Sequence, residues 1–178
     1  MTLSVGIIGY GYMGKIRQRM VEQHRDLVLS IICETNPEKL QDKQNFSVVR
    51  DPVEVIKSDV DAVFICTPNH LIPELTIQCI KRCKHVFCEK PPGMNVEDVQ
   101  KVWETKQKHP SLKLKYGFNH RYHNSVKDAL KILDSGELGK VINMRGMYGK
   151  SKIMTFSEPD WRTRRDVAGG GILLDQGI

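Results

Sequence analysis

Residues 3–14, Leu3-Ser4-Val5-Gly6-Ile7-Ile8-Gly9-Tyr10-Gly11-Tyr12-Met13-Gly14, decide the fold. An apolar run of strand length stops at a glycine, and the G-x-G-x-x-G pattern that follows opens an amphipathic stretch from Lys15 to His24. Gly9 permits a tight turn, Gly11 lets the backbone approach a pyrophosphate, and Gly14 allows a helix to pack closely on a strand. The unbonded N–H groups at the start of such a helix face negative charge. A second strand, Leu27 to Cys33, ends at Glu34, 20 residues beyond Gly14. A carboxylate there accepts hydrogen bonds from a ribose 2′-hydroxyl and repels a 2′-phosphate. No arginine follows it in Thr35-Asn36-Pro37. The spacing predicts a dinucleotide site built from Gly9, Tyr10, Gly11, Tyr12, Met13, Gly14 and Glu34, taking NAD in preference to NADP.

Outward from this unit the same alternation continues. Ser47 to Val49, Ala62 to Ile65, His85 to Cys88 and Lys113 to Phe118 read as strands. Pro52 to Lys57, Ile72 to Cys83 and Val96 to Lys108 carry helical spacing, the last behind Asn95 as N-cap. Strand and helix in alternation mean parallel strands joined by crossover helices, hence an α/β fold with a doubly wound parallel (Rossmann) sheet over residues 1–120. After Phe118 the pattern changes. A helix from Tyr122 to Leu133 ends at Ser135-Gly136, a strand is expected from Lys140 to Tyr148, a loop from Gly149 to Ala168, and a further helix from Ile172 after Gly169-Gly170-Gly171. Residues 121–178 thus read as the start of an incomplete α+β second domain, whose lone strand has no partner in sequence and whose apolar positions stay uncovered.

Composition narrows the function. Of the 178 residues 40% are hydrophobic and 27% charged, the balance of an ordinary globular domain. No apolar run reaches the roughly 18 residues that cross a bilayer, and the N-terminus lacks the features of a signal peptide, so a cytoplasmic location is expected. The five cysteines, 33, 66, 79, 83 and 88, are odd in number and sit mostly in apolar stretches, which predicts reduced thiols and no metal site. A net charge of +6 permits nucleic acid, an anionic surface or an anionic small molecule as partner. The basic residues are scattered and no nucleic-acid-binding motif is present, so neither nucleic acid nor membrane is expected as a partner.

Four further motifs lie at the ends of the expected elements: Cys66-Thr67-Pro68-Asn69-His70, Cys88-Glu89-Lys90-Pro91-Pro92, Gly117-Phe118-Asn119-His120-Arg121-Tyr122, and Gly169-Gly170-Gly171-Ile172-Leu173-Leu174-Asp175-Gln176-Gly177. Together and in this order the sequence resembles the Gfo/Idh/MocA family of oxidoreductases. The resemblance implies NAD-dependent hydride transfer to or from a secondary alcohol of a sugar, inositol or nucleotide sugar, by a protein whose full-length form is a homo-oligomer. It places the catalytic lysine on Lys90 and an orienting carboxylate on Asp175, with an acid-base imidazole expected four residues after Asp175. It adds Thr67, Pro68, Asn69, Glu89, Asn119, Trp161 and Arg162 to the cofactor-binding set. His70 stands where the family more often carries a histidine two positions later, and that position is Ile72 here.

An ammonium at the carboxyl edge of an open sheet can polarise a hydroxyl and stabilise an alkoxide-like oxygen as hydride leaves the carbon. Without the expected imidazole, the sequence given is expected to bind cofactor without turnover. Two rival readings use the same residues: a dinucleotide-binding or regulatory module without catalysis, and a nucleic-acid or regulatory partner suggested only by the basic pI. Arg162, Arg164 and Arg165 form a basic group that would suit an anionic substrate.

Overall fold

The computed structural model describes residues 2–36, 45–147, 149 and 161–177. Six strands, β1 (Leu3–Ile8), β2 (Leu27–Cys33), β3 (Ser47–Val49), β4 (Ala62–Ile65), β5 (His85–Cys88) and β6 (Leu114–Tyr116), form one sheet in the order β3-β2-β1-β4-β5-β6. Every pairing is parallel. The order runs outward from β1 to β3 and then reverses to β4 on its other side, so the topological switch lies between β1 and β4, where open α/β sheets bind ligands.

The carboxyl ends are flush. Ile8 pairs with Cys33 and Ile65, Ile65 with Cys88, and Cys88 with Tyr116. The residue after each strand continues the ladder: Gly9 donates to Cys33, Cys66 to Ile8, Glu89 to Ile65 and Gly117 to Cys88, at 2.8–2.9 Å. Register alone therefore sets the glycine loop and the motifs that begin at Cys66, Cys88 and Gly117 side by side along one edge.

Apolar runs buried on both faces hold the sheet between helices. On one face α2 (Pro52–Lys57) and α3 (Ile72–Lys81) close over Ile8, Ile31, Val63, Ile65, Val86 and Cys88. On the other, Val21 of α1 (Tyr12–Glu22) and Tyr10 of the glycine loop cover Val5, Ile7, Leu29 and Ile32. Asp51 caps α2 by accepting the Val53 N–H at 2.8 Å, and Asn95 caps α4 (Val96–Gln107) by accepting the Asp98 N–H at 2.8 Å. All five cysteines are free thiols; Cys33, Cys79 and Cys88 are buried and Cys83 is exposed. Burial pushes the Cys79 thiol up to about 12. Among the described residues no helix is long and apolar enough to cross a membrane.

The structure corrects several expectations. Helix α1 starts at Tyr12 rather than Lys15, because the glycine loop itself supplies the first turn. The helix expected over 72–83 stops at Lys81, and β6 is confined to three residues. A 3-10 turn, Asn119–Tyr122, precedes α5 (Asn124–Asp134), which buries none of its side chains. Residues 140–147 form no strand; an extended segment without a partner has unpaired backbone groups and nothing to align it. Tyr148, at the end of that expected strand, lies outside the described residues. Of the expected loop from Gly149 to Ala168, residues 150–160 lie outside the described residues, and the rest contains a 3-10 turn at Trp161–Thr163 and a short helix α6 (Arg165–Ala168). Helix α7 (Ile172–Gln176) follows the three glycines.

Candidate functional site

The glycine loop is shaped for close approach. Gly9 has φ +93°, and a Cβ on it would lie 2.6 Å from the Cys66 carbonyl oxygen. A Cβ on Gly14 would meet the Gly9 oxygen at 2.2 Å, so α1 seats on the loop only because this position carries no side chain. Gly11 faces open space, as a backbone that receives a ligand must. No side chain caps the start of α1 and no acid lies in its first turn. Its N–H groups and positive dipole end are left to an anion.

Tyr10 contributes backbone more than side chain. Its ring is buried and its hydroxyl donates to Gln18, while its N–H donates to Glu34 Oε2 at 3.0 Å. Glu34 is 5% exposed, and its Oε1 accepts the Asn36 N–H at 2.8 Å. The acidic residue at the end of β2 is thus tied into the glycine loop. Tyr12 is 79% exposed on the open side of the loop, next to Met13.

At the end of β4, Thr67 presents a buried hydroxyl with no hydrogen-bond partner among the described residues. An orphaned polar atom beside the glycine loop, the uncapped helix start and the space at Gly11 together fit a bound dinucleotide. Pro68 leads into a 3-10 turn, Asn69–Leu71. Asn69 is buried, and its Nδ2 donates to the Ala168 carbonyl at 2.8 Å, a bond spanning 99 residues that fastens α6 to the β4 edge. This tie was not legible in the sequence, where Asn69 reads only as part of a cofactor motif.

Lys90 and Asp175 meet across 85 residues. Lys90 Nζ donates to Asp175 Oδ1 at 3.1 Å and also to the Asp175 carbonyl. The two side chains remain 31% and 35% exposed, open to a ligand. Burial raises the Asp175 carboxyl, but the Gln176 amide donating to Oδ2 at 2.6 Å, the Lys90 ammonium and the Arg162 guanidinium outweigh it and hold the group below the usual carboxylate range. Asp175 is therefore ionised at neutral pH and orients a cation rather than storing a proton.

Arg162 stacks 4.6 Å over the Trp161 ring, and with Arg165 and Gly169–Gly171 it lines a cleft of about 400 Å³. Arg164 turns away and pairs with Asp166 at 2.6 Å. His120 and His123 are exposed. Among the described residues no group of three metal-binding side chains converges.

Sequence reasoning missed Arg17. It sits three residues after Gly14 and four before Val21, both buried, so an arginine on the inner face of α1 was the available signal. Arg17 Nε donates to Glu89 Oε1 at 2.7 Å, and its Nη2 approaches Asn119 Oδ1 at 3.4 Å. The site thus gathers the glycine loop, Glu34, Thr67, Glu89, Lys90, Asn119 and Asp175 along one edge of the sheet.

Comparison with known proteins agrees with this fold. Residues 3–118 match the Gfo/Idh/MocA oxidoreductase family, NAD-binding Rossmann fold, and residues 126–178 match the C-terminal domain of the same family. The chain is 34% identical over 143 residues to myo-inositol 2-dehydrogenase of Thermotoga maritima, covering 78% of this chain and 42% of that protein. It is 29% identical to D-glucoside 3-dehydrogenase of Escherichia coli, covering 99% of this chain and 51% of that one. The crystal structure of scyllo-inositol dehydrogenase from Lactobacillus casei with bound NAD(H) and scyllo-inositol superposes with a TM-score of 0.74 at 28% identity, over 78% of this chain and 43% of that one. The chain spans about half the length of the curated relatives it matches. With its six parallel strands, its glycine loop and the matched span of residues 3–118, the chain belongs to the NAD-binding Gfo/Idh/MocA oxidoreductase family.

Proposed function

We propose that this chain is part of an NAD-dependent dehydrogenase that oxidises a secondary alcohol of a sugar, inositol or nucleotide sugar, or runs the reverse reduction. The observation that carries the reading is the Lys90 ammonium, anchored on Asp175 and still a third exposed at the carboxyl edge that also holds the glycine loop. The relatives named for inositol and glucoside oxidation support the substrate class. Residues 1–120 serve as the dinucleotide domain in this reading, and 121–178 begin the part that meets the substrate.

The bound nicotinamide supplies the acceptor for the hydride that leaves the carbinol carbon. Lys90 donates a hydrogen bond to the substrate oxygen and stabilises the negative charge that develops as the C–H bond breaks. Asp175 holds the ammonium in place through Oδ1, and Gln176 holds Asp175 through Oδ2. The hydroxyl proton goes to the imidazole that the family resemblance implies four residues beyond Asp175. Glu34, Thr67, Asn69, Asn119, Trp161 and Arg162 complete the cofactor surface in this assignment.

The test is Lys90→Ala in a chain spanning the full length of the relatives. The expected outcome is a kcat lowered on the order of 100-fold or more while NADH binding, followed by fluorescence, changes only a few fold. Near-normal turnover would remove Lys90 from the chemistry, and a matching loss of NADH affinity would reassign it to cofactor binding.

A further inference from the structure

Glu89 is a buried carboxylate used on one side only. Its side chain is 10% exposed, and both contacts from Arg17 fall on the same oxygen: Nε donates to Oε1 at 2.7 Å and Nη2 lies 2.5 Å from it. A guanidinium facing a carboxylate ordinarily takes both oxygens in a fork. Here it approaches from the side, with its Cζ 4.6 Å from the centre of the Phe87 ring and Nη2 also reaching toward Asn119 Oδ1. Glu89 Oε2 accepts no hydrogen bond among the described residues, and it is not one of the sealed, partnerless atoms of the interior. A Cβ on Gly117 would stand 3.0 Å from Oε2 and 3.4 Å from Arg17 Nη2, so the glycine leaves that oxygen uncovered.

The position of Oε2 along the edge says what it meets. Glu34, the ribose-binding acid of the fold, ends β2, and the glycine loop that receives the pyrophosphate ends β1. The next strands in order are β4 and β5, so a dinucleotide laid across the edge brings its nicotinamide half to the end of β5, where Glu89 stands. An ionised carboxylate only accepts hydrogen bonds. The group it takes is therefore a donor, a ribose hydroxyl or the carboxamide N–H of that half.

We propose that Arg17 is a positioning residue for the nicotinamide half of the cofactor, engaging Glu89 Oε1 so that Oε2 is held out as the acceptor for a donor on that half. The proposal rests on the NAD reading. It deepens that reading by dividing the two oxygens of Glu89 and by giving a role to a helix residue outside every motif. Without Arg17 the carboxylate would be buried, unpaired and free to rotate.

The experiment titrates wild type, Arg17→Met, Arg17→Lys, Glu89→Gln and the Arg17→Met/Glu89→Gln double variant with NADH and with ADP, which lacks both the nicotinamide and its ribose. Arg17→Met is expected to weaken NADH on the order of 10-fold or more and to leave ADP within about twofold, the size expected for loss of a charge-assisted hydrogen bond. Arg17→Lys keeps the charge but not the side-on geometry and should fall between. The double variant should bind NADH no worse than the weaker single variant, because the two residues act as one unit. Equal losses for both ligands mean a general disturbance of α1 and overturn the positioning role, as does unchanged NADH affinity. If Arg17→Met does not fold, Arg17→Lys and Glu89→Gln decide by the same ligand ratio. A wild type that binds neither ligand overturns the NAD reading itself, and the role of Arg17 with it.

Discussion

Glu34 shows how one side chain is read twice. In sequence it is the acid at the end of β2; in three dimensions it is almost fully buried and takes the N–H groups of Tyr10 and Asn36. A carboxylate fixed in this way cannot swing aside for a phosphate. The expected outcome is that NADH binds more tightly than NADPH by roughly 10-fold or more, and that Glu34→Ala narrows the gap by relieving close-range repulsion. Fluorescence titration with the two cofactors measures it, and equal wild-type affinities would take selectivity away from Glu34. The substitution should also weaken both ligands somewhat, since it removes the acceptor that ties the glycine loop to β2.

Helix α3 shows the same at the level of an element. Its apolar spacing continues to Cys83, yet regular structure ends at Lys81 because Cys83 takes φ +57°, the left-handed conformation in which helices commonly terminate. The Lys84 N–H then returns to the Cys79 carbonyl at 3.0 Å. Glycine occupies such positions without the Cβ penalty of roughly 1–2 kcal/mol. Cys83→Gly is therefore expected to raise stability by about 0.5–1 kcal/mol, the gain being reduced by the greater freedom of glycine in the unfolded chain. A urea midpoint that moves up with unchanged slope supports this, and one that moves down shows that the cysteine side chain does more than its exposure suggests. Helix α5 is the opposite case: its amphipathic pattern was legible, but Val126, Leu130 and Ile132 remain 38–49% exposed. An apolar stripe makes a helix recognisable; a neighbour makes it buried.

For the whole molecule, the decisive contacts join the last described residues to the sheet edge. Asn69 holds Ala168, Lys90 holds Asp175, and Gly169 (φ +82°) lies so close to Met94 that a Cβ on it would come within 2.5 Å of the Met94 Cβ. Asn69→Ala should release this docking at a cost of about 1 kcal/mol, seen as faster amide hydrogen exchange over residues 165–177 with the sheet unaffected. The Lys90–Asp175 pair adds a pH-dependent part. Because the folded state lowers the Asp175 pKa, the pair's contribution is complete above the ordinary carboxylate value of about 4 and is lost as pH falls through the lowered one. Its partial exposure keeps this below about 1 kcal/mol. Exchange in 165–177 that is unchanged by the substitution, and flat through acid pH after correction for intrinsic rates, would show that other contacts hold the segment.

The sequence by itself determined the doubly wound sheet, the glycine loop and the placing of the Thr67, Lys90 and Asn119 motifs at strand ends. Those features depend on local periodicity, on glycine backbone freedom and on residues a few positions apart, all of which a linear reading retains. Strand boundaries from β1 to β5 follow the apolar runs residue for residue. Only the tertiary structure decided that Arg17 pairs with Glu89 over 72 residues, that Asn69 is a tie as well as a motif residue, and that the segment from Trp161 onward returns to the edge instead of standing free. It also denied Lys140 to Met147 a strand. These outcomes turn on which side chains and backbone groups find partners far away in sequence, and hydrogen bonds, ion pairs and strand pairing acquire direction and partner only when the chain is folded.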